Sequence, residues 1–409
     1  MGQRGQHRRE HPFVAQRARD QQQRHTHVRA CDASARGCYV HPSFPHPACD
    51  LVSDVLPAMH SNASMRGSLI VTTSTQAAMN ARLVRYADLI PCRTAFLDTK
   101  TPGSTEKENF TIIGAGVSES ADQHVHITEK HGFNIGAARQ PFGCINSQHS
   151  HDTAEVFMIH SGRWRLLFGA NKEDGTLEIG PGDVASVPIH MFRGFEKIDD
   201  GVGFLFTILG EDDPGKVTWA PAVFEAAADH GLKLAKGGRL IDTSQGDYVL
   251  KDVELEGVLD ADSIAELKTP PIEKILECVV PYGSAKANAN SPLAAEGVEE
   301  AGIIVPQATG DGFAAGPITG WWPHGCNLRQ LTLQTGAYVP HHARAEAEVL
   351  IVQEGTFEVS WADGAIVMGA GDMLTVPIGL PHAFRNTASV PAVVFVVRGT
   401  ESPVMPVFG

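Results

Sequence analysis

The chain has 409 residues, 43% of them hydrophobic, and a formal net charge of −14. That length accommodates two domains with packed cores, and the acidic balance, with no Lys/Arg-rich run, argues against nucleic acid or an anionic membrane as partner. No run of about 18 apolar residues reads as a membrane span, the N-terminus lacks the apolar stretch of a secretory signal, and the seven Cys form no CxxC pair, so buried, reduced thiols in a cytoplasmic protein are expected.

Residues 1–64 hold eight Arg, no Lys, seven His and almost no apolar periodicity. Such a segment buries too little surface to offset its ordering entropy and is expected to be a disordered extension, upstream sequence read through ahead of a start at Met59, Met65 or Met79. His25, His27, Cys31, Cys38 and Cys49 match no zinc-finger spacing. Residues 75–90 suggest a short amphipathic helix. Strands are expected at Phe110–Ile113, His124–Ile127 and Phe133–Arg139, with His124 and His126 as strand residues and not ligands.

The next stretch is the most informative. From Gly143 to Gly162 it places His149, His151 and Glu155 at the spacing H-x-H-x3-E. Alternate side chains of a strand share a face, so His149 and His151 point the same way, and Glu155 keeps that parity if the strand continues. Two imidazoles and a carboxylate converging on one point are a ligand set for a divalent metal, non-haem iron in particular. A hairpin comes next, Trp164–Phe168 and Leu177–Ile179 around Glu173-Asp174-Gly175. Then come Gly182 to Arg193 and a closing apolar strand, Gly203–Leu209. Residues 211–324 form a long connection. Within it, Pro221–His230 reads as a helix with Pro in its first turn and Gly231 beyond its end, Asp260–Leu267 as a weaker one, and 285–297 as an exposed loop. A connection this long is expected to cover a barrel mouth or a partner subunit in part, and Trp321 and Trp322 suit such a lid or interface, or equally the packed core.

The pattern then returns. Gly336 to Gly355 repeats the first motif with His342 and Glu348, and with Arg344 where the second His belongs. Gly371 to Asn386 repeats the second, with His382. The offsets are 193 residues between His149 and His342 and 189 between Gly182 and Gly371, a four-residue insertion near Asn171–Glu173. Phe357–Trp361, Asp363-Gly364 and Ala365–Met368 form the second hairpin, and Val390–Arg398 the closing strand.

These stretches resemble the two motifs of the cupin family, G-x5-H-x-H-x3-E-x6-G and G-x5-P-x-G-x2-H-x3-N. The first copy departs at His190, in a glycine slot, and at Arg193, in the slot of the fourth ligand. The resemblance implies an all-β bicupin: two jelly-roll barrels with a few short helices in the N-terminal arm and the connection. The domains are then a 1–64 extension, a first barrel with its arm over 65–210, a connection over 211–324 and a second barrel over 325–409.

Each copy keeps three ligands and substitutes Arg for the fourth: His149, His151, Glu155 with Arg193, and His342, Glu348, His382 with Arg344. A guanidinium cannot ligate a cation, and at about 5 Å it would repel a divalent ion by roughly 6–7 kcal/mol at an effective dielectric near 20. Either Arg pairs with Glu and replaces the metal, or it sits beside the open positions and holds a substrate carboxylate or enolate bidentately. His190 is expected in the loop and His341 on the face opposite His342. The resemblance to gentisate- and quercetin-type bicupins implies an Fe(II) dioxygenase for a small anionic, phenolic or enolic substrate, Arg193 or Arg344 positioning the anion; Mn, Zn and Ni are the other candidate metals. The alternatives are a non-oxidative decarboxylase or isomerase with the metal as Lewis acid, and a ligand-binding bicupin without catalysis. A homo-oligomer is implied by the resemblance alone.

Overall fold

The computed structural model describes residues 71–246 and 250–409; the extension, with the His25, His27, Cys31, Cys38 and Cys49 set and the candidate starts Met59 and Met65, lies outside them. Two β-sandwiches make up most of the described chain. In the first, a seven-stranded sheet has the order Val279–Val280, Val184–Val187, Glu155–Ser161, Val202–Gly210, Phe133–Pro141, Glu108–Ile113, Val125–Ile127. It faces a five-stranded sheet, Thr218–Trp219, Ile145–Ser150, Arg193–Lys197, Trp164–Phe168, Gly175–Ile179. In the second, Leu83–Val84, Met373–Val376, Glu348–Glu354, Ala392–Arg398, Asn327–Leu333 and Val298–Ile304 face Gly364–Gly369, Thr356–Trp361, His382–Arg385, Tyr338–Ala343 and Val407–Phe408.

The closing strand explains the packing. Ala392, Val394 and Val396 point into the second barrel's core, while Phe395 and Val397 point the other way, into a cluster shared with Phe110, Val156, Met158 and Phe206 of the first barrel. A strand buried on both faces reads as one continuous apolar run, as VPAVVFVVR does. The barrels therefore pack back to back through their larger sheets, and Gln353 Nε2 donates to the His160 carbonyl across the seam at 3.2 Å.

Two short arms cross this seam reciprocally. The expected helix over 75–90 is only Gln76–Asn80, capped by Thr75. The chain then extends, because Leu83 and Val84 pair with Leu374 and Met373 of the second barrel. Val279 and Val280, from the connection, pair with Ala185 and Val184 of the first. Tyr86 then covers Gly371 and Tyr282 covers Gly182. Both glycines sit at φ near +80°, at +85° and +81°, and a Cβ there would lie 2.9 and 2.3 Å from the tyrosine rings. This is why the second motif opens on glycine in both copies.

The helices at Pro221–Asp229 and Ala261–Glu266 lie where expected, the first with Pro at its N-terminus, the second capped by Asp260. Val223 and Ala227 of the first pack with Leu97, Phe192, Val217 and Trp219, so this part of the connection covers the first barrel's mouth. The strand Val298–Ile304 was not expected; it pairs with Asn327–Leu333 and belongs to the second barrel's sheet. Cys92, Cys144, Cys278 and Cys326 are buried and free. Among the described residues no helix is long and apolar enough to cross a membrane.

Candidate metal centres

His149, His151 and Glu155 converge in the first barrel, and His342, Glu348 and His382 in the second, with one donor atom of each residue within 4.8 Å of the others in its group. All six side chains are buried. The route to convergence differs from simple strand parity. The chain turns after Ser150, and Glu155 begins a strand of the opposite sheet. Each site thus draws its histidines from the smaller sheet or its end and its carboxylate from the larger one.

Three of the four histidines are set alike. Nδ1–H of His149, His342 and His382 donates to the carbonyl two residues earlier, at Ser147, Pro340 and Leu380, over 2.7, 2.9 and 2.8 Å. A carbonyl only accepts, so Nδ1 carries the proton and Nε2 is left as the inward lone pair. The Ser147 N–H in turn donates to Asp98 Oδ2 at 2.9 Å, and Asp98 forms a fully buried pair with Lys107. Burial pushes His149 and His151 below the ordinary imidazole range, the Arg193 charge lowering both further. In the second barrel burial holds His342 at about 3. Neutral imidazoles are what a metal requires.

The arginines do not behave alike. Arg193 is fully buried, and its Nε donates to Glu155 Oε2 at 3.0 Å while Nη1 donates to the Met191 carbonyl at 3.0 Å. Nη2 has no partner. Arg193 therefore hydrogen-bonds the ligand-set carboxylate, the pairing that was one of its two expected arrangements. Arg344 does not. Its Nη1 turns to Asp311 at 3.1 Å and to the Val404 carbonyl at 3.0 Å, and its Nε is 3.9 Å from Glu348. The arginine on Glu348 is Arg398, whose Nε donates to Oε2 at 3.1 Å and whose Nη1 donates to Glu300 at 2.9 Å. Sequence reasoning missed it. The available signal was parity: Arg398 shares the core-facing side of its strand with Ala392, Val394 and Val396. Burial alone would raise the Glu348 carboxyl, but the Arg398 and Arg344 charges bring it well below the usual carboxylate range.

Strand register aligns the two interiors residue by residue. Glu155 faces Leu209 as Glu348 faces Arg398. Leu209 pairs with Asn134 and Thr207 with Gly136, as Arg398 pairs with Asn327 and Val396 with Arg329. Asn109 lies opposite Ala138 as Glu300 lies opposite Leu331. The small or neutral set Gly136, Leu209 and Asn109 thus corresponds to Arg329, Arg398 and Glu300. In the first barrel these positions line a cavity of about 70 Å³ that reaches His149, His151 and Glu155, with Phe96 and Trp219 also in its lining. In the second they hold fully buried charged side chains.

Both groups suit a divalent ion. Two donors bound to one ion at about 2.1 Å sit roughly 3 Å apart; His382 Nε2 and Glu348 Oε1 are 3.2 Å apart, and His151 Nε2 and Glu155 Oε1 3.8 Å. His342 Nε2 is buried without any hydrogen-bond partner, which a metal would supply. The donor set does not select among Fe, Mn, Zn and Ni.

The remaining histidines fall as expected. His190 sits in the loop at φ +55° near Asp152, a conformation that explains the glycine usual in that slot. His341 is exposed. His126 bonds the Thr111 carbonyl and the Ile90 N–H, so neither of its nitrogens is free for a metal.

The family model described as Cupin domain matches residues 329–398. No curated protein matches the chain. Among solved structures, oxalate decarboxylase from Lactobacillus farciminis in a formate complex is 13% identical, with 82% of this chain and 89% of that chain covered and a TM-score of 0.49. A W96F variant of Bacillus subtilis oxalate decarboxylase is 12% identical, over 82% and 80%, with a TM-score of 0.47.

Proposed function

We propose that this protein is a metal-dependent enzyme that takes a small carboxylate or enolate in its first barrel, in a non-oxidative reaction such as decarboxylation or isomerisation, and that the second centre is structural. The observation that carries the division is the register comparison: space beside the ligands in one barrel, three buried charged side chains in the other. The cavity's volume, about 70 Å³, lies well below the several hundred Å³ of pockets for drug-sized ligands and favours a substrate of few heavy atoms over a flavonol.

His149, His151 and Glu155 would hold the metal, which supplies Lewis acidity toward a bound oxygen. Arg193 fixes the Glu155 carboxylate through Nε at 3.0 Å and does not itself line the cavity. Phe96, Phe195 and Trp219 line the cavity and keep water from the reacting group, strengthening every charge interaction inside.

The second reading is an Fe(II) dioxygenase. What favours it is Arg193 in place of a fourth ligand, which leaves two histidines and one carboxylate with open positions. Metal analysis of wild type, Glu155→Ala and Glu348→Ala, combined with oxygen-electrode and CO2-release assays on small keto and dicarboxylic acids, tests both. The proposal expects one metal equivalent lost in each variant, and turnover without oxygen uptake that disappears in Glu155→Ala. Oxygen uptake stoichiometric with turnover favours the dioxygenase. Protein without metal after reconstitution refutes both.

A further inference from the structure

The first barrel's mouth contains a buried carboxylate that the ligand set does not use. Glu119 is 6% exposed. Its Oε2 accepts from the Leu97 N–H at 2.6 Å and its Oε1 from the Trp219 Nε1–H at 2.6 Å. Its own N–H donates to the Ala95 carbonyl and its carbonyl accepts from the Leu240 N–H, each at 2.8 Å. Leu97 follows Phe96, which lines the cavity from one side. Trp219 lines it from the other, lies opposite His149 in the strand pairing, and places its ring 5.5 Å from that imidazole. The Phe96 and Trp219 rings meet edge to face at 6.2 Å across the opening.

We propose that Glu119 is a positioning residue: by binding the 95–97 segment and the 218–219 strand to one carboxylate, it holds Phe96 and Trp219 closed over the first barrel's cavity and governs how fast a small anion enters and leaves. It rests on the reading of that cavity as the ligand site. The choice of carboxylate supports it. Among the described residues no cation bonds Glu119; the charged groups facing it, Asp98 and Lys107, are paired with each other. Satisfying an indole N–H alone would need only a hydroxyl or amide oxygen. Two separate N–H donors on two walls need two acceptor oxygens on one side chain, which glutamine does not offer. Burial raises this carboxyl to about 8, the cost of keeping such a group here.

The experiment uses the full chain and two variants. Acrylamide quenching of tryptophan fluorescence on metal-free protein reads the mouth directly, the Trp219 contribution being isolated by Trp219→Phe in each background. In Glu119→Gln, Trp219 should become several-fold more quenchable, with no such rise in Glu119→Gln/Trp219→Phe. On Co(II)-loaded protein, azide binding and release tracked in the cobalt absorption should both accelerate on the order of tenfold in Glu119→Gln, the effect of losing one hydrogen bond. A purely structural role would lower the melting temperature and leave azide exchange unchanged. A folded Glu119→Gln with wild-type quenching and exchange overturns the proposal. If that variant does not fold, Trp219→Phe removes the same tie from the other side, and unchanged azide exchange in it overturns the proposal equally. If wild-type cobalt protein takes no azide in the first barrel, the reading of the cavity fails while the quenching comparison still decides the role of Glu119.

Discussion

Replacing Arg398 by leucine, the residue its register partner Leu209 already is, tests the account of the second barrel. Arg398 is fully buried and bonds Glu348 at 3.1 Å and Glu300 at 2.9 Å. Removing one member of a buried ion pair costs about 3–5 kcal/mol, because the partner charge stays in the low-dielectric interior without compensation. Here two carboxylates lose a partner. In metal-loaded protein Glu348 keeps its ion, so the loss concentrates on Glu300, whose remaining side-chain partner is the Ser291 hydroxyl. Arg398→Leu should therefore lower the unfolding free energy by about 3–5 kcal/mol, read as a shift of the urea midpoint at constant slope. Adding Glu300→Asn, the residue that Asn109 supplies in the first barrel, removes the stranded charge and should restore at least half of that. Adding Arg329→Gly as well, so that all three positions carry the first barrel's residues, should let azide reach the second ion. A single-variant cost under about 1 kcal/mol, or a double variant no more stable than the single, would refute the reasoning.

Three further outcomes rest on the same geometry. Leu209→Arg should put a guanidinium in the first barrel's cavity beside Glu155 and abolish azide binding there, while leaving the second ion in place, read by cobalt absorption and metal content. Lys107→Met strands Asp98, which holds Ser147 and through it His149; first-barrel metal affinity should weaken about ten- to a hundredfold with the second site unchanged, measured by competition with a chelating dye. His324 is held down to about 4 by burial against an ordinary 6.5, with Nε2 2.8 Å from the Ser186 hydroxyl. The unfolded chain then binds the extra proton first as pH falls. The contribution is present in full above about 6.5 and is lost progressively toward 4, by about 3 kcal/mol, and His324→Gln should flatten that limb of the urea-midpoint profile.

What the sequence determined by itself was whatever local spacing encodes. Two matched copies of H-x-H-x3-E-like and G-x5-P patterns identified two barrels and six candidate ligand side chains, since a motif that builds a turn between two strands carries its own geometry. The closing strands were legible because burial on both faces leaves a continuous apolar run, and the Pro221 helix because its ends are marked by Pro and Gly. Only the tertiary structure decided the rest. Leu83 and Val84 read as helix but extend, because their partners lie 289 to 291 residues away in the other barrel. Arg344 stood at a ligand's place yet turns to Asp311, and Arg398 takes its carboxylate from the end of a strand 50 residues on. The difference between an open and a filled centre rests on Gly136, Leu209 and Asn109 against Arg329, Arg398 and Glu300, residues that meet only through strand register. Register is a long-range pairing set by the whole sheet, and no local period in the chain carries it.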